Sequence, residues 1–398
     1  MDSILTRAAA PSADKPPAVS VTAQGAIFAA LVVYAYGLSF PALSDDMRRF
    51  LLPWFDHIVR LGPIGAFAHP FSNYSPPYLY LLAFMSLGHG ALSAATLIKL
   101  LSLAGTAFLA VAFADLLKAV GVSTRQAVAL LALPTVIMNG ALMGQCDALW
   151  SSACILAVAA MIRGRTATAL AWCGVAIAFK AQAVFIAPFI IGALLKRRPP
   201  LWQWAIPAVV FAVMMVPAWL AGWPASDLLT VYFRQAGEFD FAGRLATPWV
   251  WVGMSMHDAA QKIYVWGYCG AAAVAVGIGV LSYRAKQAVL LPAALLSAIA
   301  VPFFLPRMHE RYFFLADVLS LALAFSLRSR MAITAAVGIQ VASLASLFSF
   351  FFLFFYQRPF PTLVGSLFAT AALIATWRMV RNDGDRLPSP RDAALALA

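Results

Sequence analysis

Apolar runs of about 17 to 25 residues recur from Val21 to near Arg378, and each is long enough to cross a hydrocarbon core of roughly 30 Å. Such runs predict membrane-spanning helices. The polar stretches between them are too short for a separate soluble domain, which needs roughly 50 residues or more. The first run, Val21 to about Leu43, is longer than the roughly 7 to 15 residues of a signal-peptide core, so it is expected to remain as an anchor. Residues 1–20 and 381–398 are polar and proline-bearing and read as disordered cytoplasmic tails around one transmembrane domain, 21–380.

Only 11% of the 398 residues are charged and 63% are hydrophobic, against roughly 25% charged in soluble domains. The formal charge of +12 does not point to nucleic acid, because the basic residues fall in short clusters between apolar runs. The clusters are Lys118 with Arg125, Arg163 with Arg165, Lys196-Arg197-Arg198, Arg284 with Lys286, Arg328 with Arg330, and Arg378 with Arg381. The positive-inside rule makes all six cytoplasmic, so an even number of crossings separates each neighbouring pair. The apolar runs obey this: 126–142 and 147–162, 166–179 and 182–195, 201–221 and 262–283, 287–305 and 312–327, then 331–355 and 360–377. Before Lys118 only one crossing can follow the first, and 95–117 fits it better than 76–90. The latter run is short and opens on Pro76-Pro77, with Tyr78 and Tyr80 close behind. It reads as an interfacial or re-entrant helix. The expected fold is an all-α polytopic bundle of about twelve crossings, with one or two short helices in the first outer loop. No repeat of fixed period is visible. The four cysteines, Cys146, Cys154, Cys173 and Cys269, form no C-x-x-C pair and read as small buried hydrophobes.

This arrangement collects the unusual polar residues on the non-cytoplasmic side. Asp45 and Asp46 follow the first crossing; they read either as a solvated cap beside Arg48 and Arg49 or as a general base for an acceptor hydroxyl. Residues 71–78, with Tyr74 and Tyr78, form an aromatic and proline block that would shape an interface or a cavity. Gln145 and Asp147 close the third crossing, Asp147 as a helix cap or as a carboxylate facing a cavity. Lys180 and Gln182 interrupt an otherwise apolar hairpin, Lys180 either snorkelling or meeting a phosphate. The cluster Arg307-Met308-His309-Glu310-Arg311 sets two arginines on the outer side, against the positive-inside trend, and phosphate is the natural partner. His309 would help to neutralise a departing phosphate, with Glu310 holding one arginine. A metal site drawn from Asp45, Asp46, His57, His69, Asp147 and His309 has no local spacing to support it, and no metal or other cofactor is expected. No phosphate-cradling glycine loop is present, which argues against direct use of a nucleotide sugar.

Taken in order, Ser44-Asp45-Asp46-Met47, Asn73-Tyr74-Ser75-Pro76-Pro77-Tyr78, Gly144-Gln145-Cys146-Asp147, Phe179-Lys180-Ala181-Gln182 and Met308-His309-Glu310-Arg311-Tyr312 resemble the GT-C superfamily of polyprenyl-phosphate-dependent glycosyltransferases. More narrowly they look like bacterial membrane proteins related to the second mannosyltransferase of GPI-anchor synthesis. The resemblance implies transfer of a hexose, mannose first, from a polyprenyl-phosphate carrier to a lipid or glycan acceptor, with inversion, at the outer face of a bacterial inner membrane. It implies Asp46 as the acceptor-activating base, with Asp45 as the neighbour that could take its place. Arg307, His309, Arg311 and Lys180 would approach the donor phosphate, while Tyr74, Tyr78, Gln145, Asp147, Gln182 and Glu310 would line the sugar and acceptor site. Ala181 departs from the Phe-Lys-Pro-Gln pattern of many relatives. The other class of function open to such a chain is transport or flipping of lipid-linked sugars, which more often shows internal repeats and a binding site at the bilayer midplane.

Overall fold

The structure, a computed structural model, describes residues 21–237, 245–255, 260–353 and 360–382. The expected tail 1–20, most of the tail 381–398 and parts of the outer segment 222–261 lie outside the described residues. In chain order the helices are α1 (Val21–Ser39), α2 (Leu52–Leu61), α3 (Pro76–Ser86), α4 (Ala94–Ala119), α5 (Pro134–Ile137), α6 (Asp147–Ile162), α7 (Thr166–Phe179) and α8 (Ala187–Arg197). They continue with α9 (Ile206–Leu220), α10 (Ala225–Gly237), α11 (Trp249–Ser255), α12 (Ala260–Arg284), α13 (Leu290–Phe304), α14 (Phe314–Leu327), α15 (Arg330–Phe348) and α16 (Phe360–Asn382). The described residues are helical with no strand among them, and their long apolar helices mark an integral membrane protein.

Six helical segments are long and apolar enough to cross a membrane: 94–119, 201–220, 263–284, 287–304, 330–351 and 360–381. A seventh, 124–142, would have to be counted across a 67° bend. The remaining apolar helices, α1, α6, α7 and α14, are shorter. The reason is visible in their ends. Several of the shorter runs stop where the chain breaks to deliver a polar residue, at Asp147 before α6, Lys180 after α7 and Arg311 before α14. α3 spans only 11 residues, about 16 Å at 1.5 Å per residue, and cannot cross.

α6 and α13 form the centre, with nearly every residue buried. Small side chains make this possible: Ala153, Ala157, Ala159 and Ala160 of α6 let neighbouring helices approach closely, as apolar packing without a hydrophobic driving force requires. Gly192 serves the same purpose between α8 and α12, where a Cβ would lie 2.2 Å from the Gly279 carbonyl oxygen. α9 shows most of its apolar surface outward, as a lipid-facing helix must.

The two ends of the bundle differ in chemistry. At one end Arg163 holds Asp115 through two hydrogen bonds of 2.6 and 2.8 Å, and Lys196 donates to the Ala285 carbonyl at 2.5 Å. At the other, the breaks after α1, before α6, after α7 and after α13 converge on one another.

Candidate active site

Ser44 begins the site. Its hydroxyl donates to the Met143 carbonyl at 3.3 Å and accepts from the Met47 amide at 3.2 Å, tying the exit of α1 to the turn before α6. That turn needs Gly144, whose φ of +64 is costly for any residue with a side chain. The turn is packed so closely that a Cβ at Gly144 would meet Met47 Cε at 2.3 Å. A second tie is Lys99, a lysine 1% exposed in the second turn of α4. Its ammonium donates to the carbonyls of Ser39, Phe40 and Ala42, filling the open acceptors at the end of α1.

These ties separate the two aspartates. Asp45 faces outward and pairs with Arg49 at 2.8 Å, both more than half exposed. Asp46 turns inward, where its Oδ2 accepts from Arg311 Nη1 at 2.6 Å and from Gln145 Nε2 at 3.3 Å. Oδ1 of Asp46 accepts no hydrogen bond among the described residues. Gln145 is fixed from behind by Ser102, which donates to its carbonyl at 2.5 Å, and its Oε1 lies 3.5 Å from the Tyr74 hydroxyl.

Asp147 lies deeper, 2% exposed. Its Oδ1 accepts from Lys180 at 2.6 Å and from the Trp150 indole at 2.9 Å, and its Oδ2 accepts from Asn139 at 2.8 Å. Lys180 in turn lies 5.2 Å from the centre of the Tyr74 ring, a cation–π contact. Arg311 is surrounded by three carboxylates, Asp46 at 2.6 Å, Glu310 at 3.6 Å and Asp147 at 3.8 Å. Burial alone would lower the Arg311 pKa, but Asp46, Glu310 and Asp147 outweigh it and keep the group firmly charged. For Glu310, burial pushes the carboxyl up, yet His309 and Arg311 bring it down to about 2.

Asp45, Asp46, Tyr74, Gln145, Lys180, Gln182, His309 and Arg311 all wall one open cavity of about 210 Å³, along with Trp54 and Tyr312. A second, more apolar cavity of about 260 Å³ adjoins it, sharing Gln182, His309 and Tyr312. Arg307 lines this second cavity with Val184, Phe185 and Tyr268. Its backbone is left-handed at φ +60, and its guanidinium stacks 5.3 Å from the Tyr264 ring. Among the described residues no carboxylate pairs with it.

Of the twelve residues expected from the sequence, eight therefore share one cavity. Asp147 and Glu310 stand behind it as buried partners of Lys180 and Arg311, and Tyr78, 1% exposed, packs behind Tyr74. Arg307 belongs to the apolar neighbour. Sequence reasoning passed over Lys99, Asn139 and Trp150. Lys99 carried a usable signal, an ionisable residue inside an apolar run. No group of three or more His, Cys, Asp or Glu side chains is arranged to hold a metal among the described residues.

Comparison with known proteins gives a family signature across part of this site. Residues 64–196, a third of the chain, match the MptA_B family, described as alpha-(1->6)-mannopyranosyltransferase, N-terminal domain. No curated protein sequence matches significantly. ArnT from Cupriavidus metallidurans bound to undecaprenyl phosphate superposes with a TM-score of 0.48 at 15% identity, over 92% of this chain and 78% of that one. The apo state of the same protein gives 0.44 at 16% identity, over 91% and 77%. Tyr74, Tyr78, Gln145, Asp147, Lys180 and Gln182 all fall within the matched stretch. Over residues 64–196 the chain is thus similar to the N-terminal domain of the MptA_B alpha-(1->6)-mannopyranosyltransferase family.

Proposed function

We propose that this protein transfers a hexose, mannose in the first instance, from a polyprenyl-phosphate carrier to an acceptor hydroxyl on the non-cytoplasmic face of a bacterial inner membrane. The observation that carries the proposal is the inward carboxylate of Asp46, held by Arg311 and Gln145 at the edge of a polar cavity that opens onto an apolar one. A lipid-linked sugar needs that pairing: polar room for the sugar, apolar room for the prenyl chain, and cations where the two meet.

The acceptor oxygen would hand its proton to Asp46 Oδ1 as it bonds to the anomeric carbon. The bond from that carbon to the phosphate oxygen breaks on the opposite side, so configuration inverts. The electron pair leaves with the polyprenyl phosphate. Lys180 and Arg311 are already answered by Asp46, Asp147 and Glu310, three carboxylates against two cations. Arg307, with no carboxylate partner among the described residues, and His309, which faces both cavities, are therefore better suited to the leaving phosphate than the other two. Lys180 and Arg311 would instead order the carboxylates.

Counting the bent segment 124–142, the four shorter helices, and α8 with the 3-10 turn before it as crossings beside the six long ones gives twelve spans with both ends cytoplasmic, in keeping with charge parity. The domain 21–380 would then be one catalytic unit between two polar tails. The proposal is tested by incubating the purified protein with radiolabelled polyprenyl-phosphate mannose and a panel of lipid and glycan acceptors. Release of unlabelled polyprenyl phosphate with label in the acceptor supports it; an intact donor under every condition, with the same donor moved across vesicle membranes, would favour transport instead.

A further inference from the structure

Behind Arg311, away from the cavity of Asp46, lies a very small cavity of about 10 Å³, room for a single water-sized particle, walled by Thr135, Asn139, Asp317 and Ser343 against Phe314 and Leu347. Glu310 and Arg311 close its outer side. Asp317 sits within α14 at 1% exposure. Its Oδ1 accepts from the Ser343 hydroxyl at 2.9 Å, but its Oδ2 is buried without a hydrogen bond, and no basic side chain pairs with it among the described residues. Asn139, at 3% exposure, donates its amide nitrogen to Asp147, which leaves Oδ1 buried without a donor. The residues around this space therefore carry three buried acceptors without donors, Asp317 Oδ2, Asn139 Oδ1 and Glu310 Oε2, and one donor without an acceptor, Arg311 Nε, whose charge already answers Glu310. Such groups need water, a proton or an ion.

We propose that this cavity binds a small hard cation, with sodium the ion that matches it. One carboxylate without a counter-ion calls for a single positive charge, and the amide and hydroxyl oxygens around it are hard ligands. Asn139 stands on the π-turn Met138–Leu142, beyond the 67° bend of a broken helix. Interrupted helices are where membrane proteins commonly expose oxygens to alkali cations. Through Asn139 the ion would brace Asp147, and through Asp147 it would brace Lys180. The inference stands apart from the proposed transferase activity.

The test measures the thermal unfolding midpoint of the full-length protein in detergent at constant ionic strength, with sodium, potassium, magnesium or calcium replacing choline. The midpoint should rise with sodium and saturate. This response should vanish in Asp317→Asn and persist in the exposed control Asp56→Asn. Should Asp317→Asn fail to fold, Ser343→Ala is expected to raise the half-saturating sodium concentration severalfold. Equal midpoints in sodium and choline would overturn the site, leaving Asp317 as a protonated acid. A sodium effect that survives Asp317→Asn would do the same.

Discussion

Replacing Asp147 by asparagine keeps the shape of the side chain and removes its charge, leaving Lys180 as a buried ammonium without its nearest counter-ion. The two side chains are 3% and 4% exposed and 2.6 Å apart, so water cannot take over the role. Breaking a buried pair by removing one partner costs about 3 to 5 kcal/mol, mostly through the charge left behind. Asp45 and Arg49 provide the internal scale: at 52% and 67% exposure their pair is worth under about 1 kcal/mol. Titration from mixed micelles with a denaturing detergent reads both. Asp147→Asn should lose several times as much as Asp45→Asn, and Asp147→Asn with Lys180→Met should recover most of the loss because no charge remains stranded. If Asp147→Asn costs no more than Asp45→Asn, or the double variant is no better than the single, then the interior pair is not the anchor described above.

Gly144→Ala forces a left-handed backbone on alanine and crowds Met47, so stability should fall by about 1 to 2 kcal/mol and turnover should fall with it as the Asp46 loop shifts, measured on one preparation. Glu310 is depressed from 4.5 to about 2, so its contribution to stability is present above pH 4.5 and fades as pH drops toward 2; Glu310→Gln should remove that part of the acid transition in a pH-dependent melting series. Arg307→Ala should weaken binding of polyprenyl phosphate by about 1.5 to 3 kcal/mol, the size of a charge-assisted hydrogen bond, in a direct binding titration. Unchanged affinity would remove Arg307 from the phosphate site.

The all-helical fold was readable because hydropathy reports apolar run length directly. Where each helix breaks was harder: the bend at Pro134 has a local cause, since proline cannot continue the helix and forces Leu133 into an extended backbone, but the π-turns at Met47 and Met138 leave no trace in period or composition. The same limit applies to Asp45 and Asp46. Their chemistry was legible, but which of the two turns inward depends on the Ser44 and Lys99 ties, and both reach across sequence separations of dozens of residues. Asp147 and Glu310 were found as unusual residues. Their place behind the cavity depends on partners on other helices, which spacing cannot supply. Asp317 was hidden for a simpler reason: one carboxylate inside the run 312–327 barely alters its hydropathy.

The central claim is that Asp46, and not Asp45, accepts the acceptor's proton. Steady-state turnover of Asp46→Asn and Asp45→Asn with a polyprenyl-phosphate mannose donor tests it most directly, with donor binding measured alongside to separate chemistry from assembly. Loss of a general base lowers turnover by roughly 10² to 10⁴, so Asp46→Asn should fall that far with donor affinity largely kept, while Asp45→Asn stays near wild type. Wild-type turnover in Asp46→Asn, whether or not Asp45→Asn is inactive, would contradict the account.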